Sequence, residues 1–326
     1  MRVIYKKLPP KNKRYIATIG VFDGIHLGHR FILEKVKKES KKKNLSSLVI
    51  TFDIPPQQFL SKDIFKHGHR IQKRFRGCIN DFEQKIVLLE KLKIDCVWFL
   101  RTNHKLLELS AENFIGYICK YFKIEEFIVG EDFRFGYGGG KDASHFKKLA
   151  LENNIKLQII KKKTKYQKII SSSLIRELIK KGRLKEAHKF LGRNFSIKGR
   201  VVKGNGLGAG LGYPTANIFT FNYVIPASAV YAAWAAVGKK YYLSAVSIGT
   251  RPTVTKSKKI VMEVYLMNFH KNILGKSLKI IFLEKIRGEK KFSSKEFLRT
   301  AIKKDLKRIT AKYGVSGRQT PQLLVS

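Results

Sequence analysis

The chain has 326 residues, 44% of them hydrophobic, which is enough for two domains with separate cores. Lys and Arg number 67 against 24 Asp and Glu, a formal net charge of +43. No apolar run reaches the length of a membrane span, and Met1-Arg2-Val3-Ile4-Tyr5-Lys6-Lys7 carries no signal-peptide pattern, so no membrane partner is expected. Cys78, Cys96 and Cys119 are odd in number, dispersed and without metal-site spacing, which fits a reducing cytoplasm. The lysines are spread along the whole chain, and Ile, Asn and Phe are plentiful beside them. The charge therefore reads as background composition. Neither a zinc finger nor an RNP-type aromatic motif accompanies it, so weak polyanion binding at low salt is expected and no specific nucleic-acid partner.

In chain order, Tyr15-Ile16-Ala17-Thr18 reads as a strand and residues 31–36 as the start of a helix. Residues 47–52 form a second strand. Residues 53–79, with Pro55, Pro56, Gly68 and Gly77, read as a long irregular segment. Asp81-Phe82-Glu83-Gln84 resembles a capping box opening a helix to Leu92. Cys96–Leu100 is a buried-type strand, Ser110 caps a helix to Tyr121, and residues 126–129 are a further strand. A helix over 142–153 and a strand over 156–160 follow. This alternation argues a parallel sheet with right-handed crossovers. Beyond Phe190 the β-rich segments 195–202, 230–237, 241–248, 260–267 and 278–282 suit an antiparallel barrel. A helix over 294–309 closes the chain, and a polar tail follows from Gly314. The domain boundary is expected in or beside a short helix at 182–191, giving domains 1–186 and 187–326.

The first chemistry-bearing run is Gly20-Val21-Phe22-Asp23-Gly24-Ile25-His26-Leu27-Gly28-His29, between a strand and a helix. Helix N-termini present unpaired N–H groups to anions, and Gly20, Gly24 and Gly28 allow close backbone approach. His26 and His29 stand about one turn apart, so both rings can face one side. Val129-Gly130-Glu131-Asp132-Phe133-Arg134-Phe135-Gly136 follows a strand, where an open parallel sheet places ligand loops. Ser171, Ser172 and Ser173 open a helix with Arg176 one turn in, a further anion site. In the second half, Gly204, Gly206, Gly208, Gly210 and Gly212 alternate before Tyr213-Pro214-Thr215-Ala216-Asn217. This spacing fits neither the dinucleotide fingerprint nor a Walker A loop, because the position five before Gly275 is His270. A flap able to close over phosphates is the better reading. Glu263 lies in a strand, where a carboxylate could accept the proton of an alcohol attacking a γ-phosphate.

The first run resembles the (H/T)xGH signature of the nucleotidyltransferase superfamily. That signature alone leaves coenzyme A, NAD and phospholipid-precursor enzymes open, whereas the fuller G-x-F-D-G-x-H-x-G-H is similar to FMN adenylyltransferases. The Asp132 and Arg176 segments resemble that family's V-G-x-(D/N)-F-x-F-G and I-S-S-T-x-I-R, with Ser173 in place of threonine. One departure stands out: Thr51-Phe52-Asp53-Ile54-Pro55-Pro56 lacks the histidine of the family's T-F-x-P-H-P. The glycine segment with Pro214-Thr215-Ala216-Asn217 resembles riboflavin kinases. So do Ile248-Gly249-Thr250-Arg251-Pro252-Thr253, the stretch around Glu263, with Tyr265 where a histidine is usual, and Arg287-Gly288-Glu289. The resemblance implies a bacterial bifunctional enzyme that converts riboflavin to FMN and FMN to FAD, with ATP as co-substrate. It implies a Rossmann-like nucleotidyltransferase domain followed by a riboflavin-kinase barrel. His26, His29 and Arg176 would serve adenylyl transfer, aided by Gly20, Phe22, Asp23, Gly28 and Asp132. Glu263 would be the kinase base, Thr215 and Asn217 would carry Mg²⁺ with ATP, and Arg251 and Arg287 would lie near the flavin.

Overall fold

The computed structural model describes residues 1–4, 13–62, 75, 77–204, 206–252 and 258–314. The chain forms two compact units. One holds residues 1–76 and 81–172, the other residues 77–80 and 173–326.

The first unit is an open sheet with helices on both faces. In chain order it holds β1 (Arg2–Ile4), β2 (Arg14–Ile19), α1 (Leu27–Lys42), β3 (Ser46–Phe52), α2 (Pro56–Lys62) and α3 (Phe82–Lys91). Next come β4 (Cys96–Leu100), α4 (His104–Leu107), α5 (Ala111–Tyr121), β5 (Lys123–Gly130), α6 (Ala143–Glu152) and β6 (Lys156–Ile160). A small hairpin of β7 (Thr164–Lys165) and β8 (Lys168–Ile169) follows. The strand order is β1-β4-β3-β2-β5-β6, and every pairing is parallel. β4 is buried at every position, as a parallel strand covered on both faces must be. Alternation along the strands divides the core. Val49, Val97 and Phe99 meet Leu33 of α1 and Leu88 and Leu89 of α3. Ala17, Leu48, Ile50 and Trp98 meet Phe114 and Ile118 of α5 and Phe146 and Leu149 of α6 on the other face. Phe146 is fully buried, so its replacement by alanine would cost about 3–5 kcal/mol.

The chain winds one way from β2 through β3 and β4, and the other way from β2 through β5 and β6. The crevice beyond the C-terminal ends of β2 and β5 is therefore the topological switch point, where open α/β sheets hold ligands. The run from Gly20 and the loop after Gly130 both begin there.

Beyond Ser172, which belongs to the first unit and begins α7 (Ser172–Lys180), the second unit holds the rest of that helix and α8 (Leu184–Leu191). Then come β9 (Ser196–Val202), α9 (Leu207–Gly210), β10 (Ala216–Phe219), β11 (Ala229–Val237), β12 (Lys240–Pro252), β13 (Lys258–Leu266), β14 (Ser277–Gly288) and α10 (Lys295–Tyr313). The six strands close into an antiparallel barrel in the order β10-β13-β12-β11-β14-β9. The alanines of β11 leave room inside for Phe195, Tyr231 and Phe282, which pack ring against ring. Ser294 caps α10 through its hydroxyl, which accepts from Phe297 N, and Ile309 of that helix packs on Leu283 and Ile286.

Several expectations need correction. Residues 53–79 are not irregular throughout, because Pro56 opens the helix α2, as proline readily does in a first turn. The glycine segment contains the single helical turn α9. The strands β1 and β10 add to those that the sequence pattern predicts. β1 is short, and β10 begins inside the P-T-A-N motif. The expected polar tail beyond Gly314 lies outside the described residues.

Candidate active sites

At the end of β2 the chain turns sharply into α1. Phe22 (φ 47°) and Ile25 (φ 38°) both adopt left-handed backbone conformations, flanking Gly24 (φ 86°). For a β-branched residue such as Ile25 this conformation is a genuine outlier and stores strain. Burial holds it in place: Phe22 and Ile25 pack with Leu33, Leu88 and Val97 in the core. His26 then serves as the N-cap of α1, and its Nδ1 accepts from His29 N at 3.2 Å. That bond leaves Nε2 to carry the proton of a neutral ring. His26 is 4% exposed, and its ring stacks on that of His29 at 3.6 Å and 16°. Phe22 meets His29 edge-on at 5.3 Å. A side chain at Gly20 would touch the Phe22 ring, and one at Gly28 the His26 ring.

Neighbouring loops brace this turn. The Ser172 hydroxyl donates to Asp23 O at 2.9 Å, and Asp23 itself is buried. Ser171 is half-buried beside it, and Ser173, next in α7, is exposed. Asp132 is exposed, 3.7 Å from Lys162 Nζ, just past the end of β5. The switch point therefore gathers Gly20, Phe22, Asp23, His26, Gly28 and His29, with Ser172 against them. In the second unit, Arg176 Nε donates to Gly77 O at 2.8 Å. After β3, where the histidine is missing, Asp53 Oδ1 accepts from Ile54 N at 2.6 Å and Thr102 N at 2.9 Å. One side chain escaped the sequence reading. Lys85 of α3 is buried, and its Nζ donates to Val21 O at 2.9 Å and Phe52 O at 3.2 Å.

In the barrel, the β10–β13 register sets Asn217 directly opposite Glu263. Directly paired residues share a sheet face with Cβ atoms about 5 Å apart. Tyr265, two residues along β13, stands on the same face, and its ring meets Tyr213 edge-on at 5.5 Å. The glycine segment lies against these groups. A Cβ on Gly204 would come within 1.9 Å of Asn217 Nδ2, and one on Gly208 within 3.1 Å of Thr215 Oγ1. Gly206 and Gly212 take positive φ, 72° and 85°, and a Cβ at either of them or at Gly210 would meet open space. Arg287 Nε donates to both oxygens of Asp305 on α10, at 2.9 and 3.1 Å, and its guanidinium lies over Phe292. The Arg251 backbone pairs with Lys259, and its side chain is outside the described set.

Comparison with known proteins decides between the cofactor classes that the first motif leaves open. The family model described as FAD synthetase matches residues 8–174, and the one described as riboflavin kinase matches 191–313. A bifunctional riboflavin kinase/FMN adenylyltransferase of Buchnera aphidicola (from Schizaphis graminum) is 35% identical over 93% of this chain and 95% of the relative. The chain belongs to this bifunctional family. Members from Escherichia coli K12 and Bacillus subtilis are 32% and 31% identical, each over 89% of this chain and 90% of the relative. A solved structure from Streptococcus pneumoniae, described as a macrolide-efflux protein, superposes with TM-score 0.80 at 26% identity, over 96% of this chain and 99% of that one. Among the described residues no helix is long and apolar enough to cross a membrane. The two family models fall one on the part of the chain that holds the strained histidine turn and the other on the part that holds the Asn217–Glu263 pair.

Proposed function

We propose that the chain makes FMN and FAD in succession, the barrel phosphorylating riboflavin with ATP and the parallel-sheet unit adenylylating FMN with release of pyrophosphate. The observation that carries this reading is the coincidence of both family matches, in order, with two units that each hold a phosphate-type loop. Domains 1–186 and 187–326 are proposed accordingly, since the matches end at 174 and resume at 191.

In the kinase step Glu263 accepts the proton of the riboflavin primary alcohol as that oxygen attacks the γ-phosphorus of ATP. ADP leaves, and FMN forms. A carboxylate is suited to this, because a primary alcohol is a poor nucleophile at neutral pH. Thr215 and Asn217 offer the hydroxyl and amide oxygens that Mg²⁺ prefers, in a cradle that a Cβ on Gly204 or Gly208 would fill. When bound with ATP, Mg²⁺ would neutralise phosphate charge. The glycine segment would close over the phosphates, with Gly204, Gly206, Gly208, Gly210 and Gly212 giving it room. Arg251 and Arg287 are proposed to lie toward the flavin.

In the second step an FMN phosphate oxygen attacks the α-phosphorus of ATP, and pyrophosphate leaves. This nucleophile is already ionised, so positioning and charge neutralisation do the work. His26 through Nε2–H, His29, and the amides of the turn at Phe22, Asp23 and Gly28 would hold the triphosphate, while Gly20, whose N–H donates to Ile50 O at 3.1 Å, would let the ligand come close. Asp132, Ser171 and Ser172 would support the nucleotide. Ser173 and Arg176, at the start of α7, are proposed as phosphate ligands. The cytoplasm is the proposed location, supported by cysteines that are all free thiols. The ligands are small molecules, without a specific nucleic-acid or membrane partner.

The test is incubation of the purified protein with riboflavin and Mg-ATP, followed by chromatographic separation of flavins. FMN should appear first and FAD after it. Failure to form FMN overturns the kinase assignment, and failure to convert supplied FMN overturns the second. A specific feature favours a second reading, a kinase with slow adenylyl transfer: Pro55 stands where the T-F-x-P-H-P pattern has its histidine. A low FAD yield from ample FMN would select it.

A further inference from the structure

We infer that Lys85 is a positioning residue for adenylyl transfer, its buried ammonium fixing the peptide planes that carry the triphosphate turn. This rests on the reading of residues 20–29 as the triphosphate site.

Lys85 shares the buried face of α3 with Leu88 and Leu89, where helical periodicity calls for an apolar residue. It is 4% exposed. A buried ammonium is costly unless its donors are satisfied, so a lysine here needs polar partners. Its Nζ reaches two carbonyls that end adjacent strands: Val21 O, just past β2, and Phe52 O, the last of β3. The Thr51 hydroxyl donates to the same Val21 oxygen at 3.2 Å. A trans peptide points its N–H opposite its C=O. Drawing the Val21 carbonyl toward α3 therefore turns the Phe22 N–H away from α3. Phe22 is the strained residue at φ 47°, whose conformation needs outside support. Phe52 opens the loop that lacks the family histidine, so the same cation ties the C-terminal end of β3 to the turn that follows β2. A positive charge enclosed beneath the turn also favours an anion above it.

The experiment compares the full-length protein with K85M, K85Q and K85R, measuring FMN adenylylation with ATP varied, riboflavin phosphorylation, and amide hydrogen exchange over 20–29. K85M should raise KM for ATP about tenfold or more, as loss of charged hydrogen bonds does, with KM for FMN and the kinase rate unchanged. Exchange over 20–29 should quicken, and K85R should recover part of both effects. A fall in kcat at unchanged KM for ATP, with exchange over 20–29 as in the parent, would assign Lys85 to stability alone and overturn the proposal. If the parent makes no FAD, the reaction reading fails, while hydrogen exchange still decides whether Lys85 holds the turn. If K85M loses protection across the whole parallel sheet, the same measurements on K85Q decide.

Discussion

The histidine turn and the glycine segment differ first in how much of each the fold encloses. Phe22, Asp23, Ile25 and His26 are buried, and the turn is locked by bonds from Ser172, Thr51 and Lys85. The glycine segment lies mostly exposed between β9 and β10, and a Cβ at Gly206, Gly210 or Gly212 would meet open space. One region stores strain in bulky residues that the core forces into place. The other uses glycine to avoid strain and keep freedom. A prebuilt turn suits a step in which an ionised nucleophile needs only alignment. A loop free to close suits a step in which water must be kept from the γ-phosphate.

The sharpest way to break this comparison is to disable each region alone. Glu263→Ala should lower riboflavin phosphorylation by about 10²–10⁴-fold, as loss of a general base does, and leave conversion of supplied FMN intact. His26→Ala with His29→Ala should do the reverse, lowering FAD formation by about 10²–10³-fold. Separate assays with riboflavin and with FMN read both, and equal loss of both activities in either variant would show that the regions are not independent. The next effect is smaller and falls on the barrel. Gly204→Ala drives a methyl into Asn217 and should reduce kinase turnover by about tenfold or more. Gly206→Ala meets only an unfavourable φ, costing about 1 kcal/mol, and should do less. Equal effects would show that contact with Asn217 does not matter.

Much of this was legible in the sequence, for physical reasons. The strand-turn-helix at 15–36, the buried strand Cys96–Leu100 and the caps Asp81 and Ser110 follow from local rules that a short window contains. The stacking of His26 on His29 follows from their spacing. What stayed hidden depends on distant partners. Asn217 and Glu263 become neighbours only when the barrel pairs β10 with β13. Lys85 is one of 67 cationic residues, and only its helical spacing from Leu88 and Leu89 marked it as inward-facing. The left-handed conformations of Phe22 and Ile25 contradict local preference, and tertiary packing alone imposes them.

Acid offers the mildest way to separate the two regions, because two strongly pH-linked groups, His188 and Glu284, lie in the barrel unit. Burial and the nearby Arg193 hold His188 of α8 down at about 3, and its Nε2 is shut off from water. A histidine whose folded pKa lies below its ordinary value binds its proton more readily when unfolded. Its contribution is therefore present above pH 6.5 and lost as pH falls toward 3. Between pH 7 and pH 5 the loss is about 2 kcal/mol, and His188→Gln should flatten it. Glu284 adds a smaller step. Burial pushes its carboxyl up, but hydrogen bonds from Lys185, Lys312 and Tyr313 outweigh this and hold it at about 2. Its stabilisation is present above pH 4.5 and is lost as pH falls toward 2, with about 1 kcal/mol gone by pH 4. Asp305 runs the other way: burial raises its carboxyl against the pull of Arg287, so protonation favours the fold there. The two losses exceed this opposing term if lowering the pH from 7 to 4 unfolds the barrel before the parallel sheet. Hydrogen exchange resolved by unit, at a series of pH values, reads the order directly. Simultaneous loss of protection in both units would mean that the barrel's acid-sensitive ties do not set its stability.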